Sequence, residues 1–364
     1  MIAKASWIRS HRIRIAGICL WAVALVVAAD ALAFRTGLYR SIVEPESYAG
    51  QTEMLLKTEI ADHAPAQVLV LGDSRIGEGF SARLANRSAA GRFHFVNGAV
   101  SGSTPRCWYY LLRDLDPAAN KYRAVVLAVD SYDDEDGAWD WADRLLDLRI
   151  LIFRLRAADV WNFMRSFHGT SEQLEALLGS VLKGTVLKED VQAFLFHPRE
   201  RLRKVRTFAR SGAEWRYDYT GNSGTLAGLK VDWDRHAIVF PLGVSEAQRR
   251  EIRSVLFRPT LPQTGAYAKY RREWLGRIVG RYRGSNTRVI IVRLPRGPAP
   301  PPPGKTHFSR AIPLWRAPDL VVVDENRFAG LEQPQYFFDL LHLNAAGRAL
   351  FSRMLADAVD SELR

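Results

Sequence analysis

The chain has 364 residues, enough for one large domain or two ordinary ones around a sizeable core. Hydrophobic residues make up 48% and charged residues 25%, which excludes a disordered chain, and two cysteines exclude a disulfide scaffold or a cysteine-rich zinc protein. The formal charge of +12, from 51 Lys+Arg against 39 Asp+Glu, admits nucleic acid, anionic membrane or acidic polymer as partners and fixes none of them.

The first 34 residues stand apart. Lys4, Arg9, Arg12 and Arg14 precede an uncharged run from Ile15 to Ala29, which Asp30 interrupts and Ala31 to Phe34 extends. From Ile15 to Phe34 is 20 residues, about 30 Å as a helix and so about one hydrocarbon core. The basic flank predicts an N-in signal-anchor, with the remaining 330 residues outside the cytoplasm. A cleaved signal peptide is the competing reading, with Ala31-Leu32-Ala33 as its small-x-small cleavage site. Both readings export the chain. Cys19 lies inside the span and Cys107 far outside it, so the two are not expected to pair. The span and its flank carry a net +3 and the rest +9, spread over Arg-rich stretches such as Arg199 to Arg210. No zinc-finger or RNP-type motif accompanies that charge. Nucleic acid is therefore not an expected partner, and the charge reads as a solvated surface or as attraction to anionic polymers or headgroups.

Residues 35–65 read as a connecting segment with one amphipathic helix around Tyr48 to Ile60. A strand follows at Gln67 to Leu71. Similar runs occur at Tyr122 to Val129, Thr287 to Arg293 and Asp319 to Val323, with a weaker one at Arg92 to Val96. They are short, rich in Val, Ile and Leu, and barely alternate, as strands buried on both faces do; this predicts a parallel sheet covered by helices. Helix signals lie between them. Ser103-Thr104-Pro105 offers a cap and an N1 proline before Cys107 to Leu115, and Ser245 to Gln248 reads as a capping box opening a helix to about Phe257. Gln263 to Arg283 and Asn344 to about Val359 suit further helices. The βαβα order favours an open, doubly wound α/β sheet over 66–364. Residues 140–284 interrupt it as a mostly helical insertion rich in Trp and Tyr, with a hairpin expected around Tyr217 to Phe240. Pro295 to Pro303 predicts a stiff polyproline loop past the fourth strand's carboxyl end, where open α/β sheets place ligands.

Three sequence pieces carry chemistry. Gly72-Asp73-Ser74-Arg75 ends the first strand and presents a serine hydroxyl above the sheet, although Gly-Asp-Ser is also ordinary turn chemistry. Asn97 to Ser103, with Gly98 and Gly102, runs from the second strand into a helix start, where backbone N–H groups suit an oxyanion. Asp339-Leu340-Leu341-His342 lets one loop present an imidazole whose other nitrogen a carboxylate holds. The other histidines (11, 63, 94, 168, 197, 236 and 307) show no paired metal spacing, and His307, after the proline loop, reads as a surface residue.

Taken in order, these pieces resemble the SGNH (GDSL-type) hydrolase superfamily. Val68-Leu69-Val70-Leu71-Gly72-Asp73-Ser74 matches its first block and Asp339-Leu340-Leu341-His342 its last, over about 66–135 and 287–360. The resemblance implies a flavodoxin-like three-layer α/β fold with Ser74 as nucleophile, His342 as general base and Asp339 as orienting acid. Oxyanion N–H groups would come from Ser74 and Gly102. No metal or organic cofactor is implied. The third block departs from the family. Gly-x-Asn-Asp is expected, the chain reads Val129-Asp130-Ser131-Tyr132-Asp133, and Tyr132 falls at the Asn position. Losing one oxyanion donor costs about 10²–10³-fold in rate, so the Tyr132 or Ser131 hydroxyl, or the substrate itself, is the expected substitute.

The layout is similar to proteins that work beside membrane-bound O-acyltransferases, such as the teichoic-acid D-alanylation and alginate-acetylation proteins. That similarity implies a membrane-anchored acyl-transfer enzyme with an acyl donor and a glycan acceptor, and a membrane-bound O-acyltransferase as a partner. Arg75, Arg293 and Arg296 would hold an anionic substrate or merely coat the crevice. A water-using esterase or lipase, and a non-catalytic subunit of an acylation complex, are the alternatives.

Overall fold

The computed structural model describes residues 2–61, 64, 66–133, 142–218, 220–257, 264–265, 267–301 and 319–364. His63, His307, Pro302 and Pro303 lie outside them. Five parallel strands make the central sheet. In chain order three come first: β1 (Gln67–Leu71), β2 (His94–Asn97) and β3 (Ala124–Val129). A small antiparallel pair follows, β4 (Lys230–Asp232) with β5 (Ala237–Val239), and the sheet is completed by β6 (Arg288–Arg293) and β7 (Leu320–Val322). The spatial order is β2-β1-β3-β6-β7, with Leu69 of β1 opposite both Val96 of β2 and Val125 of β3. Counting only the strands of the large sheet, this is the 2-1-3-4-5 order of doubly wound proteins, whose order reverses between β1 and β3.

The unalternating apolar runs are explained by burial on both faces. Val68, Val70, Val126 and Ile290 point to one core and Leu69, Leu71, Val125 and Ile291 to the other, because successive strand side chains face opposite ways. The first core is closed by α3 (Ser74–Gly79), α4 (Ala82–Ser88) and the last helix, Ala345–Leu363, through Phe80, Ala85, Phe351 and Leu355. The second is closed by α2 (Tyr48–Ala61) and α5 (Pro105–Leu115), through Leu55, Trp108 and Leu111. α5 begins as its sequence predicts, with Thr104 as N-cap and Pro105 in the first turn. The Thr104 hydroxyl, however, donates to Asp147 at 2.7 Å rather than capping the helix.

The stretch between β3 and β6 holds α6 (Leu146–Leu151), α7 (Val160–Arg165), α8 (Thr170–Val181), α9 (Lys183–Val186), α10 (Lys188–Phe196), α11 (Pro198–Asp218), α12 (Glu246–Leu256) and α13 (Tyr270–Arg281). It divides between the two faces of the sheet. α6 to α8 join the α5 side through Ile150, Leu151, Phe163 and Ala176, whereas Leu229, Val244 and Ile252, around the hairpin and α12, join the α3 side. The capping box of α12 forms, Ser245 Oγ accepting from Gln248 N–H and Gln248 Oε1 from Ser245 N–H. The end of the stretch is a layer of the α/β core rather than an appendage: Tyr270, Trp274, Leu275 and Ile278 of α13 are buried against α5 and the sheet. The aromatics there are mostly packing groups for the same reason.

At the amino end, α1 (Ile2–Arg35) runs through the basic flank and the apolar run without a break. The segment Gly17–Ser41, most of which lies in α1, is long and apolar enough to cross a membrane, with mean hydropathy 2.2. Residues 18–29 are exposed, and contact with the rest of the chain begins at Asp30. Cys19 on α1 and Cys107 on α5 are both free thiols. The last helix, α14 (Ala345–Leu363), is capped by Asn344, whose side chain accepts from Gly347 N–H.

Candidate active site

β1 ends at Leu71, and the chain turns through Gly72 and Asp73 into α3, whose first residue is Ser74. Asp73 caps α3 by accepting from Arg75 N–H, so the turn is fixed by its own side chain. As the first residue of a helix, Ser74 contributes one of the amides that have no partner inside the helix. The second loop is tied to the first. Val100 N–H donates to the Gly72 carbonyl at 3.2 Å, Ser103 Oγ donates to the same carbonyl at 2.9 Å, and Trp108 Nε1 donates to Ser103 Oγ. This brings the Gly102 loop beside the residue two before Ser74. Gly102 has φ +68°, and a Cβ there would come within 2.7 Å of the Leu146 side chain, so both the backbone and the space call for glycine.

The third loop is a tight excursion between Phe337 and Leu343, which pair in an antiparallel bridge, and Phe338 N–H donates to the His342 carbonyl. Asp339 Oδ1 accepts from the N–H groups of Leu341 and His342, at 2.8 and 2.7 Å, which locks the carboxylate over the loop. Its other oxygen, Oδ2, meets His342 Nδ1 at 2.8 Å, and His342 Nε2 meets Ser74 Oγ at 2.8 Å across 268 residues of sequence. The Phe338 ring stacks on the imidazole, 5.7 Å between centroids and 17° from parallel.

Electrostatics agree with that geometry. Burial disfavours the charged forms of both groups, yet their mutual hydrogen bond and attraction outweigh it. Asp339 is held below the usual 3.8, helped by the two N–H donors, and His342 is raised above 6.5, with Glu78 and Asp73 adding to Asp339. An ionised Asp339 only accepts, so neutral His342 must carry its proton on Nδ1 and turn a lone pair toward the Ser74 hydroxyl. The side chains of His342 and Asp339 are 17% and 37% exposed, so solvent and solutes reach the group. Such a constellation can take a proton from Ser74 as its oxygen attacks, then return it to a leaving group.

The other expected site residues lie differently. Tyr132 does not face Ser74: its hydroxyl donates across the strand ends to the carbonyls of Val323 at 2.7 Å and Ile291 at 3.1 Å, so its single proton is committed there. The Ser131 hydroxyl accepts from Asp133 N–H. The side chain that β3 delivers to the crevice is Asp130, its first residue past the strand. Burial opposes its charge, but Arg271 and Arg75 hold it below the usual 3.8, so it is a carboxylate and cannot donate to an oxyanion. Arg271, from α13, grips Asp130 with both carboxylate oxygens at 3.0–3.1 Å and donates to the Asp133 carbonyl at 2.8 Å.

Arg75 borders the same crevice, forked on Asp73, with Nη2 2.9 Å from Oδ2. Arg293 and Arg296 are not positioned for substrate. Arg293 donates to the Glu325 carbonyl, and Arg296 spends its fork and its backbone N–H on the buried carboxylate of Glu332. The narrow crevice between the ends of β1 and β3 is thus walled by Asp73, Arg75, Ser103, Trp108, Asp130 and Arg271, at the point where the strand order reverses. Asp130 is legible in sequence as the residue ending the third strand. Arg271 is not, because 141 residues separate it from its partner. Among the described residues no group of three or more His, Cys, Asp or Glu side chains is placed to hold a metal ion.

No protein-family model matches the chain, and no curated protein matches it.

Proposed function

We propose that the chain is a membrane-anchored, extracytoplasmic serine acyl-transfer enzyme of the SGNH hydrolase type, moving acyl groups onto a cell-surface or exported polysaccharide. The observation that carries this reading is the contact of Ser74 Oγ with His342 Nε2, at 2.8 Å, while Asp339 holds Nδ1. In the reaction so proposed, Ser74 Oγ attacks the donor's acyl carbon and its proton passes to His342 Nε2. The tetrahedral oxyanion is met by the Ser74 and Gly102 amides. His342 returns the proton to the leaving group as the carbon–donor bond breaks, leaving an acyl-serine. A sugar hydroxyl then attacks the acyl carbon and gives its proton to His342; the acyl–Oγ bond breaks, His342 returns the proton to Ser74 Oγ, and the sugar departs as the ester.

The apolar helix α1 supports the anchored setting, since an N-in span places the site on the side where polysaccharide hydroxyls are the acceptors. A membrane-bound O-acyltransferase supplying the acyl group is the partner this reading implies. A second reading is favoured by one observation: Tyr132, at the Asn position, is committed to two carbonyls, and Asp130, the side chain at the crevice, is ionised, so neither donates to an oxyanion, which suits a non-catalytic subunit of an acylation complex.

The test is labelling of the full chain, in detergent, by a fluorophosphonate, compared with Ser74→Ala and His342→Ala. Labelling of the wild type alone supports an activated serine. A folded wild type that stays unlabelled at neutral pH sinks the enzymatic reading in favour of the second. Turnover of an activated acetyl ester with and without polysaccharide then separates transfer from hydrolysis by its product.

A further inference from the structure

α1 touches the rest of the chain over a short stretch with a defined depth. Asp30 accepts hydrogen bonds from the N–H groups of Gly184 at 2.7 Å and Lys183 at 3.1 Å, and Arg35 donates to the carbonyls of Ser180 and Val181 at 2.9 and 3.0 Å. These bonds fix the end of α8 and the start of α9 against α1. Asp30 lies four residues before Phe34, the last of the apolar run, which is about 6 Å along a helix. A hydrocarbon layer that accepts Ile15 to Phe34 therefore ends beside α8 and not short of it.

α8, whose carboxyl end meets α1 there, presents Leu174, Leu178 and Val181, which are 55, 49 and 37% exposed. Their i, i+4, i+7 spacing puts them on one face. α10 is bound to the segment that directly follows α1: the Tyr39 hydroxyl and Glu44 N–H both donate to Asp190, and the Phe194 ring meets Tyr39 edge-on at 6.3 Å. α10 ends in Leu195 and Phe196, 70 and 71% exposed, and the first turns of α11 carry the exposed Arg199, Arg203 and Arg206. Single exposed apolar side chains need no explanation. Five on two helices tethered at the depth where an apolar span ends, with arginines alongside, do.

We propose that α8 and the end of α10 lie in the interfacial layer of the bilayer that α1 crosses. Leu174, Leu178, Val181, Leu195 and Phe196 reach the acyl-chain boundary, and the α11 arginines face anionic headgroups. The domain is then held to the membrane by a surface collar as well as by its span. The proposal rests on α1 crossing a bilayer and is independent of the chemistry at Ser74.

The test places an environment-sensitive nitrobenzoxadiazole label on the full chain in nanodiscs of phosphatidylcholine and phosphatidylglycerol. The native Cys19 reports the span, and Cys107, fully buried, stays unlabelled. Cys19→Ser chains carrying Leu178→Cys or Phe196→Cys report the collar. Leu242→Cys reports the fully exposed stretch beside Val244, on the opposite face of the sheet. Expected are blue-shifted emission and several-fold stronger quenching by spin-labelled lipid than by iodide at 19, 178 and 196, with the reverse at 242. If 19 responds to lipid while 178 and 196 respond only to iodide, the collar is overturned and the anchor stands; that is also the result if those residues face a membrane protein instead of lipid. If 19 itself responds to iodide, α1 does not cross the bilayer and the collar falls with it.

Discussion

The Arg348 guanidinium donates to the carbonyl of Glu78 at 2.6 Å and to that of Gly77 at 3.3 Å, joining the first turn of α14 to the last turn of α3. Ser74 opens α3 and His342 stands three residues before the start of α14, so this buried arginine spans the two elements that bring nucleophile and base together. Arg348→Met keeps the aliphatic packing and removes the donors. It is expected to destabilise the fold by about 1.5–3 kcal/mol, the range for hydrogen bonds from a charged group. The fluorophosphonate labelling rate should fall further than the loss of folded protein explains. Denaturant unfolding alongside labelling of the folded fraction checks this, and an unchanged labelling rate would show that α3 and α14 keep their spacing without it.

The pair at His342 predicts an acid limb. Its pKa lies above 6.5 in the folded chain, burial pulling it down and Asp339 more than offsetting that, and only the neutral ring accepts the Ser74 proton. Activity should therefore fall as pH drops through a midpoint above the ordinary histidine value. In Asp339→Asn the main raising influence is gone and burial remains, so the midpoint moves to lower pH. The plateau rate should drop by about 10³–10⁴-fold, because the amide no longer selects the Nδ1–H tautomer. A pH–rate profile of both proteins measures the two effects. A midpoint that does not move on substitution would mean another group titrates.

Gly297, in the proline-rich loop after β6, predicts a steric lever on the same site. Its φ is +140°, and a Cβ there would lie 2.8 Å from the Leu340 carbonyl, between Asp339 and His342. Gly297→Ala strains its own backbone, at a cost of about 1–3 kcal/mol, and pushes on the loop that carries both residues. The variant should remain folded with a lower melting temperature and a slower labelling reaction. Loss of stability with unaltered labelling would show that the loop yields elsewhere.

The parts of this protein legible in sequence are those set by local physics. Val68 to Leu71 and Ala124 to Val129 read as strands because burial on both faces demands unbroken apolar runs. Thr104-Pro105 reads as a helix start because the proline ring suits the first turn, and Ser245 to Gln248 does so because its side chains satisfy backbone groups within a few residues. Asp339 and His342 share one loop and so declared their pairing. Long-range choices were not legible. Tyr132 sits at the expected position in the chain, but the direction of its side chain is decided by carbonyls of β6 and of the residue after β7, more than 150 residues away. Arg271 and α13 read as part of an insertion because nothing local reveals that Trp274 and Ile278 complete the core beside α5.

Glu332 accounts for the two arginines that the sequence offered to an anionic substrate. Its carboxylate, 4% exposed, takes the Arg296 fork at 2.6–3.1 Å and sits 3.9 Å from Arg293. Removing Arg296 leaves a buried acceptor largely uncompensated, whereas removing a substrate contact would leave stability alone. Arg296→Ala is thus expected to lose about 1–3 kcal/mol of stability, because a buried charged acceptor loses its side-chain donors and keeps the backbone N–H of residue 296. Glu332→Gln, which keeps the shape and some of the hydrogen bonds, should lose less. Neither change should alter the KM for an anionic acyl acceptor beyond the scatter of the assay. A several-fold rise in KM in Arg296→Ala with wild-type stability would put Arg296 back on the substrate, and would mean that Glu332 releases it when substrate binds.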